Sequence, residues 1–403
     1  MINQTGINPE RFIQDPYSFF AMARKQSPVL KTKFFQAEGW LITGFKEAEA
    51  ALKDPRFIRE EGNLPLEQLV VVPESVKPAI EINQSMMLFK DAPDHTRLRN
   101  LVNKAFTPRM IEKLRPTINE LVDYLIVQMK GKIEHELIRE FSYLLPVFVI
   151  TEFIGVPKED RELFRKWSDA FVKFIDFNTT MSDLEKIAGD IEEASNYFRS
   201  LIAKRRNEPK EDLISGLIAA EESSDQLSEM EMVATCLLLL IAGHETTVNL
   251  ITNCFYLLLK NPKQYEMLTK DLSLIPSAIE ETLRFESPVI LTSRLAKEDF
   301  EFGGQQIKKA DFIIVALGGA NYDPEVTENP EQFDITRQNI KHLSFSSGPH
   351  FCLGAPLARL EGQIALEKLV THLQNPILVE EPTLRGNIAF RGFESLKIQA
   401  EIK

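Results

Sequence analysis

Cysteine is scarce in this chain: Cys236, Cys254 and Cys352 are the only thiols in 403 residues. Their number is odd, their spacing is wide and no two form a CxxC pair. A disulfide framework and a zinc site are therefore both excluded, and a reducing compartment is indicated. Positive charge is also in deficit, with 47 Lys and Arg against 59 Asp and Glu and a formal net charge of -12. Phosphate backbones are met by basic surfaces, so nucleic acid is not an expected partner. The opening MINQTGINPERFIQDPYSFF has no basic run followed by an apolar stretch. Neither a signal peptide nor an anchor is expected, and the cytoplasm is the expected address. Internal repeats, low-complexity tracts and evident linkers are also missing. What is there is ordinary: 44% apolar and 26% charged residues, enough for a substantial core. Length alone allows two or three domains, but the patterning favours one large, mainly α domain spanning residues 1–403.

Residues 236–259, CLLLLIAGHETTVNLITNCFYLLL, are long enough to span a membrane. Their middle holds His244, Glu245, Asn249 and Asn253, and an ionised glutamate there would be costly in lipid. A buried helix through the centre of a large protein fits better, so no membrane is expected. Ser228-x-x-Glu231 reads as the capping box that opens this helix, and Asn261-Pro262 closes it. Helical patterns also cover roughly residues 92–106, 108–129, 158–175, 184–206, 263–268, 276–285 and 356–373. Strand signals are few: GWLIT at 39–43, FEFGGQQI at 300–307, turning on Gly303-Gly304, and DFIIVAL at 311–317. Residues 320–345 lack periodicity, and long irregular segments inside compact domains are often functional.

FSSGPHFCLG at 345–354 places one thiol between Gly348 and Gly354. Pro356 then opens a helix, since proline is favoured at the first helical position. The sulfur stands near a helix N-terminus, where free N–H groups and the dipole favour a thiolate. Both glycines can take conformations other residues avoid and let a flat ligand approach the backbone. A plain buried thiol is equally compatible with these features alone.

Phe345, Gly348, Cys352 and Gly354 match every fixed position of F-x-x-G-x-x-x-C-x-G. In this the chain resembles the cytochrome P450 superfamily, in which a cysteine thiolate ligates haem iron. The resemblance implies a mainly α fold with small β-sheets, with haem b (iron protoporphyrin IX) between the long central helix and the cysteine-loop helix. Cys352 would be the axial iron ligand. Ala242-Gly243-His244-Glu245-Thr246 resembles the oxygen-activation motif: Ala242 and Gly243 leave room beside the helix, and Glu245 and Thr246 would deliver protons for O–O cleavage. A zinc-protease reading fails because Val248 stands where HExxH needs its second histidine. His244 is left as a structural or pocket-lining residue. Glu281 and Arg284 match ExxR and would join Arg337 in a structural network beside the haem loop. His95, Arg99, Arg294 and His350 match propionate-binding positions. Two positions depart from the common pattern. Tyr322 replaces an arginine, so a local ion pair is expected to be absent, and Ser346 replaces a glycine.

Position in the family suggests a substrate wall drawn from the loop 64–89, the region 171–179, and segments 238–246, 289–292 and 388–390. Named candidates are Met86, Met87, Leu88, Phe89, Leu238, Ala242, Val289, Ile290, Leu291, Ile388, Ala389 and Phe390. Their apolar character favours a hydrophobic small molecule. The resemblance is greatest to soluble bacterial members that oxidise polyketides and macrolides and to those of biotin synthesis. Steroids, terpenoids and fatty acyl chains are not separated by these residues. Between His95 and Arg115, six cations (Arg97, Arg99, Lys104, Arg109, Lys113 and Arg115) face one acid, Glu112. An acidic ferredoxin or flavodoxin with its reductase would dock there, at Lys104, Arg109 and Lys113, since no flavin or nicotinamide domain is visible. The expected enzyme is a monomeric haem-thiolate monooxygenase. A peroxide-driven peroxygenase is disfavoured because such members usually lack the acid–threonine pair. A non-catalytic haem sensor or carrier would not need that pair, and a hydrolase has no triad here.

Overall fold

The computed structural model describes residues 9–34, 37–60, 72–174, 179–222 and 227–403. The helices run in chain order: α1 (Pro9–Gln14), α2 (Pro16–Gln26), α3 (Phe45–Lys53), α4 (Lys77–Ser85), α5 (Asp94–Ala105), α6 (Pro108–Lys113) and α7 (Arg115–Met129). They continue with α8 (Leu144–Ile154), α9 (Arg161–Phe174), α10 (Met181–Asn207), α11 (Leu213–Glu222) and α12 (Glu229–Lys260). The last four are α13 (Pro262–Lys270), α14 (Ile275–Phe285), α15 (Leu317–Asn321) and α16 (Ala355–His372). The fold is mainly α with small sheets.

Local chemistry accounts for the boundaries. Ser228 and Glu231 form the capping box: the Glu231 amide donates to Ser228 Oγ at 3.1 Å and the Ser228 amide to Glu231 Oε2 at 2.8 Å. The helix they open, α12, ends at Lys260, and Pro262 begins the next. The pattern read as one helix over 108–129 is two, α6 and α7, because Pro116 has no N–H to continue the ladder across Leu114. The pattern over 158–175 opens with a tight turn at Lys158–Asp160, and its last residue lies outside the described residues.

Two compact units divide the chain. One comprises Met1–Ile58, Val122–Leu144 and Thr246–Lys403; the other comprises Arg59–Leu121 and Leu145–Glu245. The dividing point inside α12 falls between Glu245 and Thr246. All described strands belong to the first unit. Its larger sheet has the order β1-β2-β8-β5-β3, built from β1 (Val29–Phe34), β2 (Ala37–Ile42), β3 (Phe57–Ile58), β5 (Thr292–Ala296) and β8 (Phe312–Val315). A smaller one pairs β4 (Glu134–Glu136), β10 (Lys397–Ile402) and β9 (Leu373–Leu378) in that order. The hairpin β6 (Phe300–Phe302) to β7 (Gln305–Ile307) turns on Gly303 and Gly304, at φ +57° and +73°. Two consecutive positive φ values are the conformation that demands Gly-Gly. One side of the larger sheet buries Trp40, Ile42, Ile313 and Val315 against Ala48 and Leu52 of α3, and the other buries Leu41 and Ile314 against Phe12 and Phe20. The second unit has helices and connecting turns but no strand among its described residues.

One helix among the described residues, α12, is long and apolar enough to cross a membrane, but 83% of its most apolar stretch is buried within the protein. That burial marks it as a core helix.

Candidate active site

Cys352 is half-buried, whereas Cys236 and Cys254 are enclosed in α12. Burial pushes both enclosed thiols up to about 12, so neither is a thiolate at neutral pH. The Cys352 amide donates to Phe345 O at 2.8 Å and that of Phe351 to Gly348 O at 3.0 Å, which closes the loop just before α16. Gly348 has φ +67°, and a Cβ there would lie 2.6 Å from Leu52 O of α3. Glycine is required at this position on both counts. Gly354 is different. Its φ of -80° is ordinary for any residue, so the conformational freedom anticipated for it is not used. A Cβ at Gly354 would meet nothing within 4 Å. Ser346 adopts φ +61°, which explains physically why glycine is the common residue there.

The loop is bolted to α14. Ser344 Oγ donates to Leu283 O at 2.5 Å, and Asn321 bonds both Ser344 Oγ and the Leu343 amide. Arg359 of α16 lies 4.6 Å over the Phe345 ring and makes a bidentate bond to Glu280 at 2.6 and 2.9 Å. One residue on, Glu281 is fully buried and receives Arg284 Nε and Nη2, both at 2.7 Å, Arg337 Nε at 3.1 Å and the Asp334 amide at 3.0 Å. The spare donors of Arg284 and Arg337 end on the carbonyls of Glu328, Asn329, Pro330 and Gln332. The aperiodic stretch before the loop is therefore held by two guanidinium forks. Glu280 and Arg359 carried no sequence signal, because the bond joins residues 79 positions apart. Tyr322 fills the expected arginine position by stacking on Tyr17, ring centroids 4.4 Å apart, and donating to Phe285 O at 3.0 Å.

On α12, Ala242 is exposed and Gly243 and Thr246 are half-exposed, although most of the helix is buried. Positions i and i+4 share a helix face, so Ala242 and Thr246 form one accessible strip. Glu245 beside it is 4% exposed. His244 is buried, with Nδ1 2.8 Å from Ser168 Oγ of α9.

His95 and Arg99 stand one turn apart on α5, with His95 buried. Burial first, then the Arg99 charge, lowers the His95 pKa below the usual imidazole value. Arg294, 3% exposed, lies on β5 and donates to Ser293 O at 2.6 Å and Thr292 Oγ1 at 3.1 Å. His350 lies half-exposed in the cysteine loop.

The wall segments 289–291 and 388–390 are brought together. Val289 bridges Phe390, and the Ile290 amide donates to Ala389 O at 2.8 Å. Ile290, Leu291, Ile388 and Ala389 pack into the core with Phe12 and Phe20, while Val289 and Phe390 are half-exposed. Met86, Met87 and Leu238 are buried, and Leu88 and Phe89 are half-exposed. The expected wall residues at 64–71 and 175–178 lie outside the described residues. The run of six cations is less bare than it reads. Arg97 pairs with Glu231 at 2.5 Å, Arg115 with Glu112 at 2.5 Å and Lys113 with Glu211 at 3.7 Å. Lys104 and Arg109 are exposed.

Comparison with known proteins shows the family and the fold. The family model "Cytochrome P450" matches residues 71–382. The chain is 42% identical over 394 residues to the biotin biosynthesis cytochrome P450 of Bacillus subtilis (strain 168), covering 97% of each chain. It is 40% identical over 397 residues to the polyketide biosynthesis cytochrome P450 PksS of the same organism, covering 96% of each. A crystal structure of P450BioI in complex with hexadec-9Z-enoic acid ligated acyl carrier protein superposes with a TM-score of 0.92 at 40% identity. That match covers 98% of this chain and 100% of the other. The chain belongs to the cytochrome P450 family. It is a monooxygenase, an oxidoreductase that incorporates molecular oxygen, and its cofactor is haem b. The residues present fit that group: a half-buried soft sulfur just before a helix start, and open space beside Gly354, where a Cβ would meet nothing within 4 Å.

Proposed function

We propose that this enzyme inserts one oxygen atom of dioxygen into a C–H bond of a hydrophobic small molecule, using electrons from a separate protein. The observation that carries the reading is the half-buried Cys352 just before α16, in a loop whose Gly348 admits no other residue. Cys352 would hold the haem iron, and His95, Arg99, Arg294 and His350 would hold its propionates. When bound, the haem supplies the redox centre for dioxygen activation, with thiolate donation favouring O–O cleavage.

The chain's own part is to place groups and move protons. The Thr246 hydroxyl, on the accessible strip of α12, donates or relays a proton, and the adjacent Glu245 carboxyl resupplies it. Leu88, Phe89, Ala242, Val289 and Phe390, the accessible members of the expected wall, would meet an apolar substrate. The hexadec-9Z-enoic acid ligated carrier protein bound to P450BioI and the polyketide pathway named for PksS support an acyl or polyketide chain as the substrate class. A ferredoxin or flavodoxin, served by its reductase, would meet the exposed Lys104 and Arg109. The whole chain, residues 1–403, works as one domain, monomeric and cytoplasmic.

The test is turnover of a panel of fatty acids and macrolactones with a surrogate ferredoxin system under isotopically labelled dioxygen. One labelled oxygen per product molecule is expected. Product formed with hydrogen peroxide but not with dioxygen and electrons would replace this reading with a peroxygenase. Haem spectral shifts without any product would leave a carrier.

A further inference from the structure

We propose that His244 and Ser168 are positioning residues for the Glu245–Thr246 pair, an inference that rests on the proton-delivery reading above. The histidine of the motif had no assigned role, and its surroundings supply one. His244 and Ser168 are each 1% exposed. Taking a polar side chain out of water is costly unless it is hydrogen-bonded, and the 2.8 Å bond between His244 Nδ1 and Ser168 Oγ meets that need at Nδ1.

The residue before it is held as well. A Cβ on Gly243 would lie 3.1 Å from Ile150 Cδ1 and 3.3 Å from Ile150 Cγ1, so α8 packs closely against the helix at this point. Successive residues turn by about 100° round a helix. Gly243 and His244 therefore engage two different neighbours, α8 by packing and α9 by a hydrogen bond. Both constraints fall in the turn that presents Glu245. His244 lies about 200° round from Ala242 and from Thr246, so the bond anchors α12 on the side away from its accessible strip.

The anchor itself is firm. Phe164, Trp167 and Phe171 of α9 are at most 1% exposed, and the Phe164 and Trp167 rings meet edge to face at 5.1 Å. Rotation or sliding of α12 here would carry the Glu245 carboxyl and the Thr246 hydroxyl with it. Proton relays are sensitive to displacements on the order of 1 Å. The Ser168–His244 bond thus fixes the relay's position without touching the reacting atoms.

The experiment compares haem-loaded wild type with Ser168→Ala, His244→Phe and His244→Asn. The first two remove the bond, while Asn places an amide atom near the position of Nδ1. Two quantities are read: amide hydrogen exchange over residues 243–248 without substrate, and product formed per dioxygen consumed. In Ser168→Ala and His244→Phe, exchange should speed up and coupling should fall, each about fivefold, the factor carried by a net hydrogen bond of about 1 kcal/mol. His244→Asn should restore both. Ser168→Ala removes one oxygen atom and decides the matter alone if His244→Phe fails to retain haem. Unchanged exchange in Ser168→Ala overturns the proposal. So does faster exchange with unchanged coupling while Thr246→Ala lowers coupling, because the bond would then be structural only. If Thr246→Ala and Glu245→Gln leave coupling intact, the relay reading fails first and this inference with it.

Discussion

Helices α14 and α16 lie in the same unit with Ile279 against Gly362, yet they treat buried acids in opposite ways. On α14, neighbouring glutamates face two separate networks. Glu281 takes the Arg284 fork, Arg337 Nε and a backbone amide, and Glu280 takes Arg359 and His342. Burial opposes ionisation of Glu280, but the Arg359 and His342 hydrogen bonds prevail and hold its pKa at about 2. On α16, Glu361 is 2% exposed and its Oε2 has no hydrogen-bond partner among the described residues. Burial pushes its pKa well above the usual carboxylate value. Charge on α14 is stabilised by partners, whereas on α16 burial disfavours the charge of a carboxylate whose Oε2 has no partner among the described residues.

The largest effect is expected from breaking the α14 network. Glu281→Ala leaves Arg284 buried without its partner, and Arg284→Ala does the converse. Each should cost about 3–5 kcal/mol of stability and yield protein without haem, measured by denaturant unfolding and haem content. A normal holoprotein from either variant would remove the network's bracing role.

Glu361 should respond in the opposite direction. Its folded pKa is raised, and an unfolded glutamate ionises above about pH 4.3. The unfolded chain therefore releases this proton first, and native stability declines as pH rises past that point. Glu361→Met should be more stable than wild type at pH 7, with a smaller advantage at pH 5, measured by denaturant unfolding at the two pH values. An advantage independent of pH would show that Glu361 is ionised in the fold.

The smallest effect belongs to Glu280. Its depressed pKa contributes stability that is present above about pH 4.5 and lost as pH falls toward 2. Glu280→Gln should flatten that part of the acid limb by on the order of 1–2 kcal/mol, since the site is partly solvated. An acid limb identical to wild type would mean that the Arg359 pairing contributes nothing.

These contrasts bear on what the sequence could reveal. The cysteine loop, the capping box of α12 and the Gly303-Gly304 turn were legible because each depends on residues a few positions apart. The ExxR pair was visible as a pattern, but Arg337 entered only through family resemblance, because its link to Glu281 crosses 56 positions. Glu280–Arg359 and Ser168–His244 were invisible for the same reason. The helix α8, LLPVFVITEFI, is buried over nearly its whole length and so has no polar face to mark its period. The strand β10 is recognisable only once β4, some 260 residues earlier, pairs with it. The run of cations on α5 to α7 misled by omission, because Glu231 and Glu211, which neutralise part of it, come from distant segments.

Ligation by Cys352 is the claim on which everything else rests. It is tested by the absorbance spectrum of the reduced carbon monoxide complex, recorded for wild type, Cys352→Ser, and the controls Cys236→Ala and Cys254→Ala. Wild type and both controls should show the long-wavelength band of a thiolate-bound haem, and Cys352→Ser should lack it. The same band in Cys352→Ser, or its loss in either control, would contradict the assignment.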